Sequence, residues 1–445
     1  MSAAPLPQAR DIWRIAAPTI LSNISVPLLG MVDTGVTGHL DSSAYLGAVA
    51  IGATIFTVLY IGMNFLRMGT TGIAAQSFGA NDNEGLRAVL EQALVVGLVI
   101  AVMLIVLQVP ISTLALKLLG GDVETQKYAA EYFFIRIWSA PSTLANFAII
   151  GWFIGLQNAR VPLAIFLTIN LTNIALDLLF VVVLGMKVDG VALASVIAEY
   201  SGLIVGGLFV LSALRQRPGH WAVDRLKNFS AYKAFFAINA NLFVRSMALM
   251  FTFSFITAQG ARLGGLVLAA NAVLMNFQFL TALGLDGIAH AAEALVGKAI
   301  GEKRRGALEH TVKLTLRWSL IFAVGFAAFY ALFGTLIIGI LTDLEDVREA
   351  AIRYLPWMIA SPIVSVWCFL YDGVYVGATR AKGMRNVMVF STIVIFLPAW
   401  YLLQPLGNDG LWLAFLLFMA SRGIGMHLGY RKQIVGGTFG PDVAH

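Results

Sequence analysis

Asp33 and Asp177 each sit inside a long, largely apolar stretch, and the chemistry of this chain starts from them. A carboxylate at the centre of a bilayer costs at least about 2.5 kcal/mol unless it is paired, protonated or in contact with water. An acid kept there is a functional candidate by default. Asp33 lies 23 residues beyond Arg10, and Asp177 lies 17 residues beyond Arg160. At the helical rise these are roughly 35 Å and 25 Å, so both carboxyls fall in the outer half of their spans. Asn173 is four residues before Asp177, one turn deeper on the same helix face. Ser195 falls about two turns into the next span from its outer end, and Tyr132 falls near the outer end of the span before. The five groups share a depth and offer only oxygen and amide ligands. Two acids held together repel unless they share a proton or a cation, and an oxygen-rich ring suits a hard ion such as sodium. The plainer alternative is that Asn173 and Asp177 hydrogen-bond neighbouring helices, with Tyr132 an interfacial aromatic.

Pro27 precedes Asp33 by less than two turns, and Pro18 precedes Pro27. Each removes a backbone hydrogen bond and crowds the carbonyl four residues back, which kinks a helix. The expectation is that protonating Asp33 breaks its polar links to the fifth span. The first helix then bends at Pro27 and shrinks a binding cavity. Against this stands the general frequency of proline in membrane helices.

The elements that must position these groups follow from composition. Of 445 residues, 59% are hydrophobic and 12% charged, against roughly 25% charged in soluble proteins. Soluble enzymes, disordered chains and coiled coils are excluded on that ground. Twelve stretches are long and apolar enough to span a bilayer: 11–37, 44–76, 86–108, 126–152, 160–184, 189–213, 231–258, 264–297, 307–341, 347–376, 384–404 and 409–431. They lack the period-two alternation of barrel strands, as in ALVVGLVIAVMLIVLQV (93–109). The expected fold is an all-α polytopic membrane protein. The first eleven residues do not read as a removable signal. With the N-terminus in the cytoplasm, twenty of the thirty lysines and arginines fall on the cytoplasmic side and six outside. Both termini are therefore expected in the cytoplasm, and the net charge of +6 reads as topology, not nucleic-acid binding.

A shift of 222 residues brings the halves into register. Leu46, Ala48, Ala50, Gly62, Gly79 and Leu86 then fall on Leu268, Ala270, Ala272, Gly284, Gly301 and Leu308, and Gly151 and Gly155 fall on Gly373 and Gly377. Asp189-Gly190 meets Asp409-Gly410 after a slip of two. Six spans per half give both halves the same orientation, the parallel-repeat plan of secondary transporters. The expected organisation is an N-lobe over 1–214, a cytoplasmic linker over 215–230, a C-lobe over 231–431 and a tail over 432–445. No nucleotide-cradling motif is present, so an ion gradient is the expected energy source.

NISVPLLGMVDTGVTGHL (23–40), NLTNIALDLLF (170–180) and GATRAKGMRN (377–386) resemble the multidrug and toxic compound extrusion (MATE) family. FLRMGTTGIAAQSFGA (65–80) and LDGIAHAAEALVGKAIG (285–301) resemble its DinF-like branch. The resemblance runs over essentially the whole chain. It implies 12 transmembrane helices in two pseudo-symmetric six-helix lobes. It also implies export of diverse, often cationic drugs or toxins in exchange for protons, with sodium as the alternative ion. Carried over by motif, Asp33, Asn173 and Asp177 would surround the coupling proton or sodium, and Ser195 would supply the hydroxyl of the sixth helix. Other branches carry an acid on helix 7; here that helix offers Asn239, Asn241 and Arg245.

The second half has its own charges. Asp286, His290 and Glu293 are spaced to share one helix stripe. Arg67 is repeat-equivalent to Ala289 and is expected to pair with Asp286 or Glu293; a pair within one lobe, or a His290 proton relay, is the alternative. Asp372 is a secondary candidate for substrate binding, or it satisfies a neighbouring helix. Cys368, the only cysteine, excludes an intrachain disulfide and a cysteine zinc cluster. His290 and Glu293 have no evident nucleophile beside them, so the chain is not read as an enzyme, and neither a cofactor nor a metal is required. The rival reading is a flippase for lipid-linked saccharides, which would favour a strongly cationic cavity. The chain is expected in the plasma (inner) membrane, in contact with lipid and small molecules, acting as a monomer.

Overall fold

The computed structural model describes residues 5–37, 43–217, 219 and 229–435; the side chains of 26–34, 36, 37, 43, 229–231 and 435 lie outside that description. Every regular element among the described residues is helical. Helix α1 runs over Ala9–Thr37, α2 over Ser43–Met63, α3 over Phe65–Gly79, α4 over Asn83–Val106, and the short α5 over Gln108–Leu119. Then come α6 (Val123–Arg136), α7 (Ala140–Gly155), α8 (Arg160–Asp177) and α9 (Val188–Arg215). The second half holds α10 (Phe229–Arg262), α11 (Gly265–Gly301), α12 (Arg305–Leu341) and α13 (Glu345–Gly377). It closes with α14 (Ala381–Phe390), α15 (Leu397–Leu403) and α16 (Asn408–Val435). Eleven candidate membrane spans lie among the described residues, and α1 covers the first expected stretch. The expected linker falls largely outside the described residues, and α16 continues to Val435, into the expected tail, of which 436–445 lie outside them.

Several spans are interrupted rather than straight. Asn64 breaks the span made by α2 and α3, and a 3₁₀ turn at Ile137–Ser139 joins α6 to α7. Immediately after Asp177 the fifth span widens into a π-helical turn, Leu178–Val183. Ser391–Phe396 forms a second one. Such turns loosen the regular backbone ladder and occur frequently at functional sites.

The chain divides into two compact units, one of Ala17–Phe235 and one of Met1–Ala16 with Phe236–His445. Backbone geometry confirms the repeat at an offset of 222. Left-handed residues end equivalent helices: Asn81 (φ 55°) with Lys303 (φ 55°), Gln157 (φ 61°) with Thr379 (φ 54°), and Gly185 (φ 67°) with Gly407 (φ 59°). The two-residue slip is thereby located. It lies after Gly185, where α9 starts at Val188 but α16 starts at Asn408, directly behind Gly407.

The interior of each unit is set by close helix crossings at matched glycines. A Cβ on Gly151 of α7 would lie 2.4 Å from the Arg67 carbonyl oxygen of α3. On Gly373 of α13 it would lie 2.3 Å from the Ala289 carbonyl oxygen of α11. Gly155 meets Thr71 and Ala75 in the same way, and Gly377 meets Glu293. Small residues let membrane helices approach until dispersion forces act along their length, because apolar burial gives no drive between helices in lipid.

Helix ends obey ordinary capping chemistry. The carboxylates of Asp82 and Asp122 accept from the amides of Gly85 (2.8 Å) and Thr125 (2.7 Å). The amide and hydroxyl of Thr125 hold the Asp122 carboxyl below its usual range. Near the Asp82 cap, the Arg87 guanidinium of α4 donates to the carbonyls of Leu214 (2.9 Å) and Arg217 (2.8 Å), closing the end of α9.

Candidate functional site

In the first unit, α8 and α9 pack side by side and bring the expected polar groups together. Asp177 is 0% exposed, Asn173 1% and Ser195 4%. The Asn173 amide nitrogen donates to the Ser195 hydroxyl at 3.2 Å. One turn separates Asn173 from Asp177, which is the last α-helical residue before the π turn. Asn170, on the preceding turn, donates to the Ser25 carbonyl of α1 at 3.1 Å, fixing α1 against α8. Asp33 and Pro27 belong to α1, and their side chains lie outside the described residues. Tyr132 is 1% exposed. Its ring lies over Gly52 of α2, where a Cβ would be 2.2 Å away, and beside Arg136, whose guanidinium is 5.9 Å from the ring centre.

A second acid in this unit was not singled out from the sequence. Glu199 stands four residues after Ser195, one turn along the same face of α9. The Asn146 amide of α7 donates to both its carboxylate (3.2 Å) and its backbone carbonyl (3.1 Å). Arg136 is close enough to act on it electrostatically, and also covers the Phe56 ring at 5.5 Å. The signal was present: a lone glutamate in an apolar helix, in register with Ser195. Asp177, Asn173, Ser195 and Glu199 thus form a polar ladder down α8 and α9.

In the second unit, Asp372 of α13 does satisfy neighbouring helices, and it does so with two cations. Arg245 of α10 and Arg422 of α16 (2.8 Å) both donate to its Oδ2. Glu293 is buried at 3% exposed, with Gly377 packed on its backbone. Asp286, half-buried on the same helix, acts electrostatically on Arg422; His290 is also half-buried. Arg67, 9% exposed, donates from Nε to the Asn64 side chain at 3.1 Å, at the break between α2 and α3.

The MatE family model matches residues 18–179 and 242–402, one copy in each half. The chain belongs to the MatE family. It is 41% identical to DNA damage-inducible protein F of Escherichia coli over 435 residues, 97% of this chain and 94% of that one. It is 23% identical to a probable multidrug resistance protein NorM of Photorhabdus laumondii over 313 residues, 69% of this chain and 68% of that one. An outward-facing multidrug resistance MATE family transporter of the MOP superfamily superposes with a TM-score of 0.84, at 19% identity over 96% of both chains. A MATE protein in a bent conformation superposes at 0.86, also at 19% identity, over 96% of this chain and 95% of that one. Membership makes this MatE chain a multi-pass membrane transporter of the multidrug efflux type, not an enzyme.

Proposed function

We propose that the chain is a secondary active antiporter that exports cationic and amphipathic compounds in exchange for protons, with sodium as the alternative ion. Coupling is assigned to Asp33, Asn173, Asp177, Ser195 and Tyr132 in the first unit. The observation that carries this is Asp177, wholly buried and one turn from an amide–hydroxyl bond that ties α8 to α9. A carboxylate held there is most stable with a proton or cation on it. The Ser25–Asn170 contact supports Asp33 as its partner. Asp33 is eight residues beyond Ser25 and Asp177 seven beyond Asn170, so two helices crossing in the same sense carry both about two turns further.

Protonating Asp33 from outside would break its polar links to the fifth span. Helix α1 would bend at Pro27, and cargo would leave as the ion enters. The distribution of basic residues supports cytoplasmic termini and a place in the plasma (inner) membrane, and monomeric action is part of the same reading. The test is dye efflux from vesicles holding the full chain, under an imposed proton or sodium gradient. Wild type is expected to move ethidium on the proton gradient. Asp177→Asn is expected to lose gradient-driven movement while still binding the dye. Efflux by Asp177→Asn at the wild-type rate would refute the coupling site. A wild type that moves no cationic compound on either gradient would favour the lipid-linked saccharide flippase.

A further inference from the structure

The second unit carries a cluster that this coupling scheme does not use. Arg422 and Arg245 reach Asp372 from α16 and α10, with side chains 4% and 9% exposed, and Asp372 is 13% exposed. Each guanidinium has five N–H donors in a planar fork. Both direct one donor at the same oxygen, Asp372 Oδ2. A further Arg422 nitrogen meets the Met419 sulfur at 3.3 Å, and its cationic carbon lies 5.3 Å from the centre of the Phe418 ring. Among the described residues, the Nε atoms of both arginines are buried without an acceptor, and so is Asp372 Oδ1 without a donor. Buried polar groups are hydrogen-bonded in the large majority of cases, and those left over call for an explanation.

Charge balance alone does not supply one. Asp286 of α11 is near enough to act on Arg422, so two acids face two arginines. The hydrogen bonding remains mismatched, because two forks built for bidentate carboxylate contacts share a single oxygen. The geometry points to an anion subsite in which the Arg245 and Arg422 forks take the carboxylate group of a small organic ligand, with Asp372 as a resident competitor for the same donors. The ligand class is an organic carboxylate. This inference concerns the other unit and stands apart from the coupling role of Asp177.

The test is equilibrium binding of radiolabelled benzoate to the full chain in lipid nanodiscs, with benzamide as the neutral isostere. Wild type is expected to bind benzoate saturably and benzamide not at all. Arg422→Gln and Arg245→Gln are each expected to weaken benzoate binding on the order of tenfold, the effect of losing a charged hydrogen bond. Asp372→Asn is the decisive variant. It removes the competitor and is expected to tighten benzoate binding several-fold, whereas a merely structural salt bridge would give looser binding or none. Unchanged or weakened binding in Asp372→Asn, or benzoate and benzamide behaving alike in wild type, overturns the assignment. Ethidium movement by wild type in the vesicle assay is read separately, so failure here leaves the antiporter reading in place.

Discussion

The matched glycines make a quantitative prediction about what holds each unit together. In Gly151→Ala the new Cβ would sit 2.4 Å from the Arg67 carbonyl oxygen, and in Gly373→Ala 2.3 Å from that of Ala289. Real Cβ contacts essentially never fall under 3.0 Å. The obstacle in both cases is backbone, which cannot turn aside as a side chain can. Helices α3 and α7, or α11 and α13, must therefore separate by about 0.6 Å or more along the crossing, loosening contacts on either side. Overpacking of this kind costs typically about 1–3 kcal/mol. A unit of this size loses about 2–4 °C in midpoint per kcal/mol. The assay is thermal loss of monodisperse protein in detergent, with Gly207→Ala and Gly325→Ala as controls, since nothing lies within 4 Å of a Cβ at either. Both tight-site variants are expected to fall several degrees below both controls. Midpoints equal to the controls would refute the close crossing as the organising contact of the units.

Pro27→Ala is expected to keep the fold but lower the rate of proton-driven efflux and flatten its pH dependence; transport at wild-type rate with an unchanged pH profile would remove helix bending from the mechanism. Glu199→Gln keeps an acceptor for Asn146 but removes the negative charge. Efflux of ethidium is expected to drop several-fold while a neutral amphipathic dye is little affected, and equal loss of both would reduce Glu199 to a packing residue.

Much of this protein was legible in one dimension because lipid is an unforgiving solvent. Backbone groups that cannot meet water must be bonded within a helix, so span positions, helical class and the 6+6 repeat could all be read from hydropathy and spacing. The repeat offset paired glycines 151 with 373 and 155 with 377, and the structure shows each of them against a facing helix. An acid in hydrocarbon is conspicuous, so Asp177 and its turn-mate Asn173 could be named, and Ser195 could be put at the same depth. Glu199 was equally conspicuous and was passed over, because depth pointed to the outer half and not to the next turn down. Hydropathy and helical spacing say which residues share a helix face, but not which helix that face meets. Whether Asp372 would satisfy its neighbours or wait for a ligand depended on α10 and α16, more than a hundred and about fifty residues away in the chain. Only the packed unit could place two guanidiniums on one carboxylate oxygen and leave the Nε of each buried. The chain's chemistry with the bilayer determined the helices, and the close approach of their backbones in three dimensions decided which buried charges meet.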